Sequence, residues 1–587
     1  MSGIWGFSCD HSSENHNKIQ ALDFWTGYYG AEGSDWAVIP SGAFGCHIEH
    51  LSEDYPCSDH ILKSGSYSSV IDAIIYNRKE IAQQMEFANL SHLSDEELLF
   101  SLWLEKGYQA FASVNGDFAG AIYDERDGSW TLFRDHLGIR PLFYYLDNQQ
   151  FAFSTDIRGL TALPDVDLKL NEIMFYQNAA GYNALSLCDT EYANIHCVRP
   201  ASQMTFSHKQ LFEVKTEVYW NLGQKKVRFR DPEEYPKELR RLIIDSVQRR
   251  LNAVSGLIGA ELSGGLDSCM IDVLINRLGR EAVYYSWSYD PKDLPLQKDR
   301  DERDIILDIC KQEGISCHFT SMPKMATVTE IKDMMKHIDP PYMNTPQLAA
   351  GSKWMHSQGA RVVFTGHGGD EGVSHRGNLT GEFRSSRAGC EILSPAFTDR
   401  ICKIAPHPSL PFAYDPVAYT MQGGPGIRMY NAASQGAENG VRYMFPFLDY
   451  RVFDYAVSIP RWQFNCGEGN RAVYRKAFYD LMPESLRRMH YKDTPSMTHF
   501  SIPDMDYSRE FLKSKQQMIE FLDWDFWGQY LDKDAVESIM PAEDVNSPEY
   551  TYAGVKMNVL LKCCMIQNTM KNTKKNRGSS FNCAPGG

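Results

Sequence analysis

Two short stretches carry residues whose types and spacing suit phosphate chemistry. The first is SGGLDS, Ser263 to Ser268. Leu257, Ile258, Ala260 and Leu262 before it read as a short buried strand, and Met270, Val273 and Leu274 after it recur at helical spacing. A glycine turn that opens a helix leaves backbone N–H groups unpaired, and the helix dipole favours an anion there. Gly264 and Gly265 permit close backbone approach, while Ser263 and Ser268 add hydroxyl donors. The loop lacks the lysine of a Walker cradle. Asp267 would repel phosphate unless Mg²⁺ lies between them. Without a ligand, the same six residues read as a strand-to-helix turn with an aspartate cap.

The second stretch, VVFTGHGGDEG at residues 362–372, repeats the logic. An apolar strand runs into Gly366, Gly368 and Gly369, and Asp370 and Glu371 follow. Ligands of open α/β sheets gather at the carboxyl ends of strands, so the two loops can clamp one Mg²⁺–triphosphate through Asp267 and Asp370. His367 lies in the second loop as a base or electrostatic partner. Its competing readings are a loop histidine bonded to nearby backbone and, with Asp370 and His375, a metal site. The glycine context favours phosphate.

The elements that must position these loops fall into two domains. Residues 1–222 contain short alternating runs, GDFAGAIYD, WTLFRDH, PLFYYLD and QFAFSTD, punctuated by Asp127-Gly128 and Asp147-Asn148. That is the texture of an antiparallel, sheet-rich domain. Residues 223–560 alternate helical patterns such as PEEYPKELRRLIIDSVQRRL with strands such as AVYYSWSY and ARVVFTG, which predicts an α/β unit with a mostly parallel sheet. Residues 561–587, ending in KNTKKNRGSSFNCAPGG, read as a basic, disordered tail. With 587 residues the chain has ample length for two cores. A net charge of −16 argues against nucleic acid as a partner held by charge. No apolar run is long enough to span a membrane, and Asp10, His11 and Glu14 interrupt any signal peptide. The 14 cysteines are scattered without a CxxC pair, so reduced thiols and a cytoplasmic protein are expected.

SGGLDS resembles the pyrophosphate-binding loop of ATP-pyrophosphatase enzymes, specifically the asparagine synthetase family (the glutamine-hydrolysing, B-like type). FPFLDYRVFDYAVSIP (445–460) is similar to that family's PFLD segment. NRAVYRKAFYDLMPESLRRMHYKDTP (470–495) resembles its C-terminal element of an arginine, a helix, a Leu-Met-Pro turn and a late lysine. NGDFAGAIYDERDGSWTLFRDHLGIRPLFYY (115–145) is similar to the core of its glutaminase-type domain. The resemblance implies an N-terminal Ntn-hydrolase-like αββα sandwich and a C-terminal ATP-pyrophosphatase domain. It implies ATP and Mg²⁺ as cofactors, with adenylation of a carboxylate followed by attack of a nitrogen nucleophile. The ATP and pyrophosphate contacts would be Leu262, Ser263, Gly264, Gly265, Asp267, Ser268, Gly366 and Gly368. Asp267 and Asp370 would hold the metal, and His367 and Lys492 would be catalytic.

The departures narrow this. Active glutaminase domains of the family begin Met-Cys-Gly, but this chain begins MSGIWGF and has Ser2 in the nucleophile's place. The family's Asn-Gly-Glu-Ile-Tyr-Asn reads DAIIYN here, Asp72 to Asn77, and its His-Arg-Arg-Leu has no counterpart around GCHIEHLSEDYP. Asp95 survives alone. The domain is therefore expected to be an inactive scaffold. His367 resembles the residue of lasso-peptide macrolactam cyclases, where asparagine synthetases carry Glu and β-lactam synthetases Tyr. Arg442 replaces a Glu common before PFLD. The expected activity is macrolactam closure: an Asp or Glu side chain of a core peptide is adenylated and attacked by the peptide's N-terminal amine. The partners implied are the peptide, a leader-binding protein and a protease. Arg376, Phe383, Arg384, Arg387, Tyr414, Tyr419 and Tyr430 would line a peptide-sized cavity, or else belong to an ordinary surface insertion. The rivals are an ammonia-dependent asparagine synthetase, a small-molecule β-lactam-type synthetase, and a non-catalytic regulator, which the intact phosphate apparatus opposes.

Overall fold

The computed structural model describes residues 2–9, 15–54, 56, 61–85, 92–147, 150–180, 188–207, 213–224, 226–296, 301–321, 345–374, 387–404, 426–464, 471–488, 506–542 and 547–576. Alternation of side chains organises the first half. One six-stranded sheet runs, edge to edge, Ile195–Cys197, Phe143–Leu146, Gln150–Ser154, Gly3–Cys9, Gly42–Ile48 and Gly33–Ile39. The other runs Glu213–Val218, Ser202–Ser207, Ser129–Arg134, Gly116–Asp124, Tyr67–Ile75 and Leu62–Ser64. All pairings in both are antiparallel. Ile4, Phe44, Trp130, Leu132 and Phe153 fill the space between the sheets. Trp5 and Phe7, of opposite parity to Ile4, pack outward on Ala21 and Leu22 of the helix Asn15–Thr26. On the far side Ile71, Phe118 and Phe133 meet Leu98, Leu99 and Leu102 of the helix Asp95–Lys106. That helix starts in a capping box between Ser94 and Glu97, a device worth about 1 kcal/mol. The result is a helix–sheet–sheet–helix sandwich.

The second half is a five-stranded sheet in the order Cys317–Thr320, Ala282–Tyr289, Ile258–Glu261, Val362–Phe364 and Arg442–Met444, every pair parallel. The central strand is buried along its whole length, as expected of a parallel strand covered on both faces. The helix Glu234–Asn252 supplies an apolar stripe, Leu239, Leu242, Ile243, Val247 and Leu251, at the spacing of one helix face. Gly259 lies against Met355 of the helix Thr345–Ser357, where a Cβ would come within 2.5 Å of the sulfur. Both glycine loops, Ser263–Ser268 and the one after Phe364, leave this sheet at carboxyl ends of adjacent strands.

The domains share two buried polar seams. In one, Arg442 Nη2 donates to Asp72 Oδ1 at 2.6 Å, Arg250 Nη1 to Asp449 Oδ2 at 3.2 Å, and Asn115 Nδ2 to the same oxygen at 3.2 Å. In the other, Arg158 pairs with Glu438 and donates to Ser434 Oγ at 3.0 Å. Tyr430 belongs to this second seam: it is buried, its ring lies 5.0 Å from that of Phe143, and its hydroxyl donates to Asp156 Oδ1 at 3.4 Å. It does not line a peptide cavity. The side chains of Arg376, Phe383, Arg384, Arg387, Tyr414 and Tyr419 lie outside the described residues.

The disordered tail expected from residue 561 is corrected. The helix Pro548–Asn576 continues through that point, burying Leu560, Cys563, Cys564 and Ile566. Thr573 Oγ1 donates to Thr161 O of the N-terminal domain at 2.5 Å. Residues 577–587 lie outside the described residues. Among the described residues, no helix is long and apolar enough to cross a membrane.

Candidate active site

The loop after the central strand is held by its own side chains. Ser263 Oγ and Ser268 Oγ are 2.8 Å apart, Ser263 N donates to Ser268 Oγ at 3.2 Å, and Gly265 N donates to Ser263 Oγ at 3.4 Å. Gly264 takes φ +69°, a left-handed conformation suited to glycine. The helix Leu266–Arg277 begins next, and its first N–H groups point out of the turn. The second loop presses onto this helix start: a Cβ on Gly366 would stand 2.5 Å from Ser268 N. Only a glycine lets the two loops meet this closely.

Asp267 and Asp370 converge on one cation. Arg471 Nη1 donates to Asp267 Oδ2 at 3.0 Å and to Ser374 Oγ at 3.1 Å, and its Nη2 donates to Asp370 Oδ1. Arg471 sits at φ +65°, just before the helix Ala472–Phe478; that conformation is uncommon for a residue with a Cβ and marks a constrained position. Burial pushes the Asp267 carboxyl up to about 7, with Arg471 opposing the rise and Asp370 adding to it. Asp267 Oδ1 is buried without a hydrogen-bond partner. An orphaned carboxylate oxygen, on an aspartate that shares Arg471 with a second aspartate, fits a divalent cation shared with phosphate oxygens, the usual way Mg²⁺ is held. Among the described residues, no group of three or more His, Cys, Asp or Glu side chains could hold a metal, so phosphate oxygens and water would complete the shell.

His367 is half-buried; its N–H donates to Thr365 Oγ1 at 3.4 Å and its ring centroid is 6.3 Å from that of Trp287. Gly368 N donates to Glu371 Oε2 at 3.1 Å, and Glu371 also accepts from Arg428 Nη1 at 3.1 Å. Leu262 is fully buried and its N–H donates to Tyr285 O at 2.9 Å, so only its main chain is available to a nucleotide. Lys492 and His375 lie outside the described residues. Sequence reasoning over the loops missed Arg471, although it is the arginine of the 470–495 segment. It also missed Glu261, the buried carboxyl directly before the first loop. Burial pushes Glu261 up to about 7, while Thr365, Tyr443 and Trp287 around it act in the opposite sense.

The N-terminal domain's own pocket is occupied by its own charges. Ser2 is 3% exposed, its N–H donates to Asp72 Oδ1 at 2.9 Å, and its Oγ accepts from Glu49 N at 3.4 Å. Burial raises Asp72, but Arg140 and Arg442 outweigh it and hold the carboxyl below its ordinary range. Asp95 is taken up by Arg78 and by Ile75 N at 2.9 Å. A small open cleft beside it is lined by Glu49, His50, Asp95, Glu96, Ala253 and Arg442, among others. Burial and the charge of Asp95 push Glu96 up to about 7. Three carboxyl groups line the cleft, and its one arginine is already paired.

The family profile described as a glutamine amidotransferase domain matches residues 59–220, and the asparagine synthase profile matches residues 238–377 and 432–561. A Methanocaldococcus jannaschii protein provisionally named glutamine-hydrolysing asparagine synthetase 2 is 26% identical over 316 residues, covering 51% of this chain and 57% of that one. The glutamine-hydrolysing asparagine synthetase 3 of Bacillus subtilis is 22% identical over 475 residues, 72% of this chain and 74% of that one. Amidase chyE of Penicillium rubens is 24% identical over 339 residues, 55% of this chain and 48% of that one. The matches thus span from about half to about three quarters of these relatives' lengths.

Proposed function

Because the chain belongs to the asparagine synthetase-like family, we propose that it is an ATP-dependent, AMP-forming carbon–nitrogen ligase, and within that class a macrolactam cyclase of the lasso-peptide type. It would adenylate an Asp or Glu side chain of a core peptide, and the peptide's N-terminal amine would close the ring. One observation carries the choice of nitrogen. Ser2 N and Arg442 Nη2 both bind Asp72 Oδ1, so the place where a glutaminase nucleophile would act is tied into a buried ion pair with the synthetase sheet. A nitrogen freed beside Ser2 would meet that charge cluster first. An amine already carried by the substrate avoids it.

In this reading the carboxylate attacks the α-phosphorus, the bond to the pyrophosphate oxygen breaks, and pyrophosphate leaves onto the main chain and hydroxyls of Ser263–Ser268. The amine then attacks the acyl carbon, loses a proton, and AMP departs. Arg471 sets positive charge between Asp267 and Asp370, where charge shifts as pyrophosphate leaves. Mg²⁺, when bound, would be held by Asp267 and Asp370 and would neutralise phosphate charge. His367, whose ring centroid is 6.3 Å from that of Trp287, would accept the amine's proton. Lys492 keeps the role the resemblance gives it, positive charge on the departing phosphate. An N-terminal amine, with a pKa of about 7.7–8.0, is partly neutral near neutral pH, unlike a lysine. A protease that exposes this amine, a leader-binding protein and a cytoplasmic setting complete the proposal.

The test is mass spectrometry of full-length protein with ATP and Mg²⁺ in three mixtures: aspartate with ammonia, aspartate with glutamine, and a peptide carrying a free N-terminus and an internal Asp or Glu. AMP, pyrophosphate and a peptide lighter by one water support the cyclase. Asparagine from ammonia supports the simpler synthetase and overturns the cyclase. Asparagine from glutamine overturns the scaffold reading as well.

A further inference from the structure

Two cysteines at the edge of the first antiparallel sheet stand apart from both the phosphate loops and the domain seams. Cys188 and Cys197 close the turn CDTEYANIHC, where Cys197 N donates to Cys188 O at 2.6 Å. The next pair inward, Asp189 and His196, forms an antiparallel bridge with the imidazole Nδ1 3.0 Å from the carboxylate. Thr190 Oγ1 donates to Ile195 O at 2.7 Å, and Tyr192 is fully buried beneath the turn. Opposed residues of an antiparallel ladder have Cα atoms about 5.5 Å apart, inside the ~4.4–6.8 Å that a disulfide spans. Their side chains leave the ribbon on the same face. Neither cysteine is in a disulfide, and both are partly exposed.

A second observation separates the two thiols. Arg134 is 2% exposed, and its guanidinium donates to the carbonyls of Gly138 at 2.5 Å, Arg140 at 2.5 Å and Val198 at 2.9 Å, and to Cys197 Sγ at 2.8 Å. None of these acceptors is a carboxylate. The buried guanidinium thus holds the Cys197 sulfur in place. Burial, then the neighbouring Cys197, push the Cys188 thiol up to about 12.

We propose that Cys188 and Cys197 form a reversible thiol–disulfide modification site, in which Cys197 is the attacking thiolate and Cys188 the resolving thiol. With a low-molecular-weight disulfide such as oxidised glutathione, the Cys197 sulfur displaces one small thiol and is left as a mixed disulfide. Cys188 then gives its proton to solvent, attacks Cys197 Sγ and displaces the second small thiol, which takes up a proton. Two protein thiols become one disulfide and one small disulfide becomes two thiols. Oxidation changes the sulfur that Arg134 donates to, and the other bonds of Arg134 hold the loop from which Arg140 reaches Asp72 at 3.4 Å. The site is thereby linked to the seam between the domains.

The experiment exposes reduced full-length protein to oxidised glutathione at neutral pH, quenches in acid, alkylates the remaining thiols in denaturant and maps the peptides by mass spectrometry. The expected result is a 188–197 linkage that forms before Cys310, Cys317, Cys390 or Cys402 is consumed and that dithiothreitol reverses. Cys188→Ser should instead accumulate glutathione on Cys197. The proposal is overturned if Cys390 or Cys402 reacts first. It is overturned equally if Cys188 in Cys197→Ser takes up glutathione as fast as Cys197 does in Cys188→Ser.

Discussion

Asp72 Oδ1 and Arg442 Nη2 lie 2.6 Å apart across the boundary between the two domains, both side chains 2% exposed. Each stands where the resemblance leads one to expect a different residue, and together they make one compensated change: an acid gained on one side and a base on the other. Removing Asp72 leaves the buried Arg442 without its carboxylate, a change that costs up to about 3–5 kcal/mol, whereas removing Arg442 leaves Asp72 with Arg140 at 3.4 Å and should cost less. Asp72→Ala and Arg442→Ala should each lower the thermal midpoint of the full chain. The double variant should recover part of the loss, and additive losses would show that the pair is not coupled.

Asp267→Asn removes the negative charge that Arg471 meets and that a metal ion would share in the proposed reaction. AMP and pyrophosphate production should fall on the order of 10²–10³-fold, the scale for loss of one electrostatic stabiliser. Circular dichroism should remain that of the parent. Arg471→Lys keeps a charge but not the fork that reaches both aspartates, and should retain more activity than Arg471→Ala.

Glu261 gives a pH signature of definite sign. Its folded carboxyl is pushed up to about 7, against about 4.3 for an unfolded glutamate. The folded state therefore binds more protons between those values, and stability falls as pH rises through that window. Glu261→Gln cannot ionise, so its thermal midpoint relative to the parent should climb from pH 5 to pH 7 and level off above. A difference that stays flat across the window would contradict the assignment.

Ser2→Cys restores the residue type found in active glutaminase domains but not the pocket. Among the described residues, Glu49, Asp95 and Glu96 put three carboxyl groups around the cleft, and Arg442 there is paired to Asp72, which opposes binding of glutamine's carboxylate. Ser2→Cys should release no glutamate from glutamine in a coupled assay. Measurable hydrolysis would overturn the proposed scaffold role.

Shortening the chain tests whether its last helix is a strut. Ending the protein after residue 560 removes the buried Cys563, Cys564 and Ile566 and the Thr573–Thr161 contact, and should destabilise the fold by several kcal/mol, the usual cost of losing more than one buried side chain.

The fold was legible in the sequence, and so was the position of the two glycine loops at the ends of strands. Strands such as Gly116–Asp124 and Ala282–Tyr289 declare themselves because alternation and β-branched or aromatic content are local properties. The loops declare themselves because phosphate chemistry needs glycines, hydroxyls and an aspartate within a few residues. Arg471 does not, because it lies 204 residues from Asp267 and 101 from Asp370. The Asp72–Arg442 pair spans 370 residues; read singly, each looked like a loss. The last helix was hidden differently: its lysines and asparagines describe a solvated face, while Leu560, Cys563, Cys564 and Ile566 form a stripe that has meaning only against a partner surface.

The helix Pro548–Asn576 starts on the synthetase side and finishes against Thr161 of the sandwich. Such a strap changes what evolution can discard. A lineage that no longer needs glutamine hydrolysis can let Ser2 and its surroundings drift, one substitution at a time. It cannot delete the gene segment that encodes them, because the ligase would lose a wall. The sandwich persists as masonry: its chemistry is free to change, but its outline is fixed by the neighbour built onto it.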